Sequence, residues 1–282
     1  MKIFYALSQE LKKTIFNVGF ILCILITVIL FFTTILYVDS STGKIYSVIE
    51  GIIRLDKKIF LGDPSFAAIN VFSNAISGYF LMFIPIIAAF PFIPNYCSER
   101  NSGLIRFTIY RVGKMRYYIS KFLSAMLGGG FAVFLGYAIF GLIIYFNFPS
   151  HSSYISLIGQ KKTNIHLIVL KSLLGVFLYG SVSAVPAFLM ASFVRNRYII
   201  TCVPFMIIYL YNTSLTKISY DAMLERKSST TDFIHTLRPE TISSLAYYNN
   251  MVRNSLLINI AFVCFCFCVF AIIMNRRWDF GE

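Results

Sequence analysis

The sequence has 282 residues, of which 57% are hydrophobic and only 13% are charged, and its mean hydropathy is +0.73. Soluble domains average about 25% charged residues, so this chain has too few polar side chains to cover a water-exposed surface. The composition therefore excludes an ordinary soluble protein and indicates an all-α polytopic membrane protein. The net charge of +13 predicts contact with anionic lipid head groups, and nothing in the sequence indicates nucleic-acid binding.

The first predicted element is an amphipathic helix near the start of the chain. Ile3, Phe4, Leu7 and Leu11 recur at helical spacing and share one face, whereas lysines lie on the other. A basic amphipathic helix directly before a membrane span is typical of the lipid interface. We therefore predict an interfacial helix at 1–14 and a transmembrane domain at 15–282; a solvated terminus is the alternative.

Six apolar stretches without a charged residue follow. A helix needs about 20 such residues to cross the hydrocarbon layer. The fifth stretch is short, because its strongly apolar part ends near Tyr211. The predicted spans are 15–37, 70–92, 122–146, 172–194, 198–216 and 255–274.

The distribution of basic residues predicts the orientation. With six spans both termini lie on one side, and that side carries 13 of the 25 Lys and Arg residues on roughly half as many residues as the other side. Cytoplasmic loops are enriched in basic residues. We therefore expect cytoplasmic termini in a plasma membrane, most simply a bacterial one.

Small residues in the third span recur at every fourth position, which lets helix backbones approach closely in lipid. We expect this face to pack within the bundle or across a dimer. The residues are Ser124, Gly128, Ala132 and Gly136.

The six spans contain no Asp, Glu, Lys, Arg or His. Ionisable residues within the membrane mark proton relays and ion sites, so their absence argues against a proton-driven antiporter or an ion channel. The remaining polar residues suit an amphipathic or hydrophobic cargo. The candidates for a substrate path are Asn70, Ser73, Asn74 and Ser77, although these side chains are also suited to satisfying neighbouring backbone groups.

The chain also lacks the motifs of hydrolases. It contains no paired histidines at metal-binding spacing, no nucleophile elbow and no phosphate-binding loop. We therefore expect no catalytic residue, no metal site and no cofactor in the chain itself.

Residues 97–121, "CSERNSGLIRFTIYRVGKMRYYISK", concentrate six basic residues and one acidic residue between the second and third spans. The segment is too apolar for a solvated loop. We predict a short helix along the membrane face with a turn at Val112 and Gly113.

This segment resembles the cytoplasmic loop of membrane subunits of ABC-type exporters of the ABC-2 (type-two permease) family. The resemblance rests on an acidic residue, a glycine four positions later, an apolar run, and a basic residue before Tyr with a closing Lys. It extends in architecture to nearly the whole chain, but this chain lacks the proline that the family often has near Arg111 to Gly113. In this family the region between the fifth and sixth spans often dips back into the outer leaflet, so the resemblance implies that residues 212–254 do the same; a plain outer loop is the alternative. The matching residues are Glu99, Gly103, Leu104, Arg116, Tyr117 and Lys121.

The resemblance implies that the loop is a coupling helix that docks onto a separate ATPase subunit. Two copies of the chain would bind two copies of this ATPase, which would bind ATP and Mg and drive export of an amphipathic or hydrophobic peptide or drug. The alternative is a non-transport assembly factor or sensor with a lipid-binding loop. The expected coupling residues are Glu99, Gly103, Arg106, Arg111, Arg116 and Lys121.

Overall fold

The structure is a computed structural model that describes residues 2–38, 43–54, 66–76, 79–149, 165–194, 196–224, 228–247 and 249–279. Within these residues, five helices are long and apolar enough to cross a membrane, and a bent pair of helices would make a sixth. The prediction of a mainly helical membrane protein with several spans is therefore confirmed.

The chain begins with two helices, α1 (Lys2–Ile15) and α2 (Val18–Phe32), whose axes differ by 60°. The bend lies at Asn17, whose side chain accepts a hydrogen bond from the Gly19 backbone N–H at 3.3 Å and so caps α2. Both helices pack against the long helix α8 (Lys114–Asn147).

The first span differs from its predicted extent. Helix α2 ends at Phe32 rather than Tyr37, because the hydroxyls of Thr33 and Thr34 bond to the carbonyls of Leu30 and Phe31. An antiparallel hairpin follows, formed by β1 (Ile35–Val38) and β2 (Ile45–Ser47), and leads into α3 (Val48–Arg54).

The second predicted span, 70–92, is divided into several helices. Pro85 and Pro94 lie in the first turns of α5 and α6, where a proline starts a helix but cannot continue the preceding one. The helical stretch in this region that is long and apolar enough to cross a membrane is Leu81–Asn101, which lies later in the chain than the predicted span. The elements are α4 (Ala68–Ala75), a 3₁₀ helix (Tyr79–Phe83), α5 (Ile84–Ala89) and α6 (Ile93–Asn101).

Two long helices form the centre of the bundle. They are α8 (Lys114–Asn147) and α9 (Ile165–Phe193), which pack along each other, and the nine-residue helix α7 (Leu104–Val112) precedes them. Aromatic side chains fill the core: Phe31, Tyr137 and Phe140 stack near one end, and Phe122, Phe188 and Phe270 meet near the other.

Three consecutive glycines let α8 approach three different helices. A Cβ on Gly128 would collide with Thr14 of α1, one on Gly129 would lie 2.7 Å from the Ala88 carbonyl oxygen of α5, and one on Gly130 would meet Phe177 and Ser181 of α9. In the predicted ladder, Ser124 and Ala132 are buried and Gly136 faces Thr27 of α2. The described contacts of this ladder are thus within the chain.

The last part of the chain is more exposed. It comprises α10 (Arg197–Leu224), α11 (Ser228–Leu237), a 3₁₀ segment (Pro239–Tyr247) and α12 (Asn250–Asp279). Helix α10 continues beyond the predicted end at 216, so the fifth span is long enough to cross. Helices α10 and α12 bury much less of their surface than α8 and α9 do.

The bundle has two distinct ends. We call the end that carries α1, α7 and the start of α10 the α7 end. We call the opposite end, which carries the hairpin, α11 and the 3₁₀ segment Pro239–Tyr247, the cavity end.

Candidate functional site

Helix α7 is separated from its neighbours by two glycines in left-handed backbone conformations. Gly103 has φ 72° and starts α7, and Gly113 has φ 93° and ends it. A side chain at either position would meet no atom within 4 Å, so the backbone conformation, and not a lack of space, requires glycine. The two glycines set α7 as a separate short helix between α6 and α8.

Helix α7 packs against the bundle through one face. Ile105 and Ile109, one turn apart, are buried against the bundle. The opposite face, which we call the α7 face, is exposed and combines apolar, aromatic and basic side chains. Its members are Leu104, Arg106, Phe107, Tyr110 and Arg111.

Two large aromatic side chains lie on the α7 face. Phe107 is 71% exposed and Tyr110 is 82% exposed. Aromatic residues together with Arg are enriched where proteins bind partners. Arg116, at the start of α8, is also exposed and adds a positive charge nearby.

Four charged residues from three helices form a compact group beside α7, which we call the ion cluster. Lys13 Nζ lies 3.0 Å from Glu99 Oε1 and 3.3 Å from Glu10 Oε1, and Lys121 pairs with both carboxylates. Glu10 and Lys121 are buried. Because two acids face two bases, the cluster is neutral, and it joins α1, α6 and α8.

A second charged contact fixes the other side of α6. The Arg100 guanidinium donates through Nη1 to the carbonyl oxygens of Ala191 at 2.7 Å and Val194 at 2.9 Å. These carbonyls lie at the C-terminus of α9, where the helix dipole favours a positive charge. Glu99 and Arg100 therefore attach α6 to α1, α8 and α9.

The predicted coupling residues occupy two kinds of position. Glu99 and Lys121 bind each other within the ion cluster, and Gly103 forms the turn before α7. Arg106, Arg111 and Arg116 are exposed on or next to the α7 face. The structure thus separates residues that hold the α7 end together from residues that a partner can reach.

Sequence reasoning missed Glu10, Lys13 and Arg100 as members of this site. Glu10 and Lys13 are visible as a pair three residues apart on the amphipathic helix, but Glu99 lies 86 residues after Lys13. Only the packing of α1 on α8 brings them together.

Two of the four candidate substrate-path residues line a cavity of about 620 Å³ at the cavity end. They are Ser73 and Asn74, on α4. Asn70 lies one turn earlier on α4 and is half-buried, and Ser77 lies outside the described residues. The other polar lining comes mainly from the segment between α10 and α12.

An arginine and a glutamate face this cavity. Arg238 Nη1 lies 3.6 Å from Glu240 Oε1, and Arg238 Nη2 donates to Thr216 Oγ1 at 3.2 Å. Burial raises the pKa of the Glu240 carboxyl, and the nearby Arg238 offsets this only in part. The pair is therefore partly desolvated and is not joined by a short hydrogen bond.

The cavity wall is tightly packed behind these residues. A Cβ on Gly175 of α9 would lie 2.6 Å from the Ser243 carbonyl oxygen, so the 3₁₀ segment rests directly on the α9 backbone. Among the described residues no group of three His, Cys, Asp or Glu is suitably placed for a metal ion.

No protein-family model matches the chain, and no curated protein is detectably similar to it.

Proposed function

We propose that this chain is the membrane subunit of an ATP-driven ABC exporter of the ABC-2 type. Two copies would pair in the membrane and bind two copies of a separate ATPase, which would hold ATP and Mg. The cargo would be an amphipathic or hydrophobic molecule, such as a peptide or a drug. The α7 end would be cytoplasmic, in a bacterial plasma membrane.

The observation that supports this proposal is that the exposed α7 face follows a helix, α6, that ion pairs and hydrogen bonds attach to the bundle. A helix that transmits force from a soluble partner needs an accessible contact surface and a connection to the spans that does not yield. Phe107, Tyr110 and Arg111 provide the surface. The ion cluster and Arg100 provide the connection to α1, α8 and α9.

Charge agrees with this orientation. The exposed arginines of α7 and the start of α8 add positive charge to the same end that carries α1. This is the distribution of a cytoplasmic face. A partner that docks here would present acidic and apolar groups.

The test is a pull-down of the tagged chain from its native membrane in mild detergent, followed by mass spectrometry. We expect a stoichiometric partner with a phosphate-binding loop. A variant with Phe107→Ser and Tyr110→Ser should lose this partner while it keeps the chain's thermal stability, because both side chains are exposed.

Ile53→Ser is the matched control, because Ile53 is 74% exposed at the opposite end of the bundle. Reversal of Glu99 is a poor choice for this test, since it would disrupt the ion cluster. Absence of an ATPase, together with binding of the purified chain's α7 face to anionic vesicles, would overturn the exporter proposal and favour the non-transport lipid-binding protein.

A further inference from the structure

We infer that the cavity at the cavity end binds the zwitterionic head group of a phosphoethanolamine lipid. If the lipid is also the cargo, its head group is the cargo's polar part; that step rests on the proposed function, but the binding itself does not.

The size of the cavity is suitable for a small ligand. Its volume of about 620 Å³ lies within the range of about 300–1,000 Å³ that ligand pockets usually have. Its apolar lining consists of Ile76, Leu81, Met82 and Ala246, and its other lining residues are polar. An amphiphile would place its first methylene groups against the apolar part and its head group against the polar part.

The charges of the lining match a zwitterion. Arg238 and Glu240 both face the cavity, with side chains 14% and 23% exposed, and their charged atoms are separated by 3.6 Å. This separation leaves each group room for a closer partner of opposite charge. A head group with one phosphate and one ammonium supplies both partners and keeps the site neutral.

Two buried donors in the lining lack an acceptor. Among the described residues, neither the Ser73 hydroxyl nor the Arg238 Nε–H has a hydrogen-bond partner, although both atoms are buried. Buried polar atoms in folded proteins are nearly always paired. The oxygens of a phosphate would accept hydrogen bonds from both groups.

The acceptors of the lining suit an ammonium. The Ser243 hydroxyl donates to the backbone carbonyl oxygen of Glu240 at 2.6 Å, and the Ser244 hydroxyl donates to the backbone carbonyl oxygen of Thr241 at 2.7 Å. The hydroxyl oxygens of these two serines therefore offer lone pairs only. Together with the Glu240 carboxylate, they form an acceptor-rich part of the cavity next to the donors.

The test measures binding of lysophosphatidylethanolamine to the purified full chain in a maltoside detergent by native mass spectrometry. Lysophosphatidylglycerol, with an anionic head, and dodecyltrimethylammonium, with a cationic head, are the comparison ligands. We expect the zwitterion to bind most tightly. Glu240→Gln should weaken it about tenfold without weakening binding of the anionic lipid, and Arg238→Gln should weaken it about tenfold without weakening binding of the cation.

Ser73→Ala provides a variant that keeps the fold, since the Ser73 hydroxyl has no partner to lose among the described residues. It should weaken lysophosphatidylethanolamine binding by about twofold to tenfold. Asp232→Asn is the matched control for Glu240→Gln, because Asp232 is exposed on α11 and outside the cavity lining. It should leave binding unchanged.

Equal binding of the three ligands to the unmodified chain, or binding that none of the cavity variants changes, would overturn the inference. So would an amphipathic peptide that binds through Glu240 and Ser73 when the lipid does not. The measurement contains no ATPase, so failure to find an ATPase partner would reject the proposed function and leave this result standing.

Discussion

Glu99 at the end of α6 and Lys121 near the start of α8 form an ion pair that closes the chain around α7. The two residues are 22 positions apart, and the whole of α7 lies between them. Their contact fixes both ends of the segment that carries the α7 face. Because Glu10 and Lys13 join the same group, α1 is held to this segment as well.

Replacement of Lys121 by Met should destabilise the protein strongly. The change leaves the carboxylates of Glu10 and Glu99 close together, with the half-exposed ammonium of Lys13 as their remaining partner in the ion cluster. Removal of one partner from a buried ion pair typically costs about 3–5 kcal/mol in the free energy of unfolding. Denaturant titration in detergent, followed by circular dichroism, measures this change.

The double variant with Glu99→Gln and Lys121→Met should recover a large part of that loss, since it removes one of the two facing charges. Arg111→Met is the control, because Arg111 is exposed and should have little effect on unfolding. If the double variant is as unstable as the single one, the Glu99–Lys121 pair is not what stabilises the α7 end.

Gly129→Ala should destabilise the bundle through overpacking. The new Cβ would lie 2.7 Å from the Ala88 carbonyl oxygen and 2.9 Å from the Ala184 Cβ, and both neighbours are parts of packed helices that cannot simply rotate away. Overpacking of this kind costs about 1–3 kcal/mol. The unfolding free energy in detergent measures it.

Glycine is required at position 103 for a different reason than at 129, namely its backbone conformation and not crowding by neighbouring atoms. Gly103→Ala should cost about 1 kcal/mol through its positive φ, whereas Gly103→Asn should cost less, since Asn tolerates this conformation. Gly129→Asn should lower the unfolding free energy at least as much as Gly129→Ala does. An equal effect of Ala and Asn at 103 would contradict the conformational explanation.

The membrane class and the short helix between spans could be predicted from sequence because they depend on local composition. The long apolar runs give α8, α9, α10 and α12, and Gly113 ends α7 where the turn was expected. The boundaries of spans one and two could not be predicted well. In span one, α2 ends just before Thr33 and Thr34 although the sequence before and after them is apolar. In span two, prolines divide the apolar stretch into several helices.

The candidate sites depend on contacts between residues far apart in the chain, so only part of each site can be predicted from the sequence. Ser73 and Asn74 are recognisable in the sequence as polar residues in an apolar run, but Arg238 and Glu240 belong to a segment for which a loop and a re-entrant element are both expected. The ion cluster required the packing of α1 against α8. Neither the ion cluster nor the set of cavity residues follows a regular spacing in the sequence.

Replacement of Arg100 by Met should loosen α6 from α9. The change removes the donor to the carbonyls of Ala191 and Val194 and the positive charge near the negative end of the α9 dipole. Hydrogen bonds that involve a charged group contribute about 1.5–3 kcal/mol, and we expect a loss of unfolding free energy of this size.

Arg100→Lys should retain part of the stability, because an ammonium keeps the charge but lacks the planar guanidinium. Hydrogen exchange should show faster exchange at the C-terminus of α9 in Arg100→Met and a smaller change in Arg100→Lys. Unchanged exchange in both variants would mean that Arg100 does not hold α9.

The stability of the protein should respond to pH in opposite ways through Glu240 and Glu50. Burial raises the pKa of Glu240 in the folded state above its ordinary value of 4.5. Its contribution to stability is therefore fully present below pH 4.5 and is lost as the pH rises through the folded-state pKa. Hydrogen bonds from the Ser47 backbone N–H and hydroxyl lower the pKa of Glu50. Its contribution is present above pH 4.5 and is lost as the pH falls through the folded-state pKa.

Thermal unfolding of the detergent-solubilised chain between about pH 3 and pH 7 separates these two effects. Glu240→Gln should flatten the loss of stability above pH 4.5, because a neutral amide at this buried position no longer ionises. Glu50→Gln should flatten the loss below pH 4.5 by a smaller amount, since Glu50 is more accessible to solvent. A Glu240→Gln profile parallel to that of the unmodified chain would show that Glu240 is not desolvated in the folded protein.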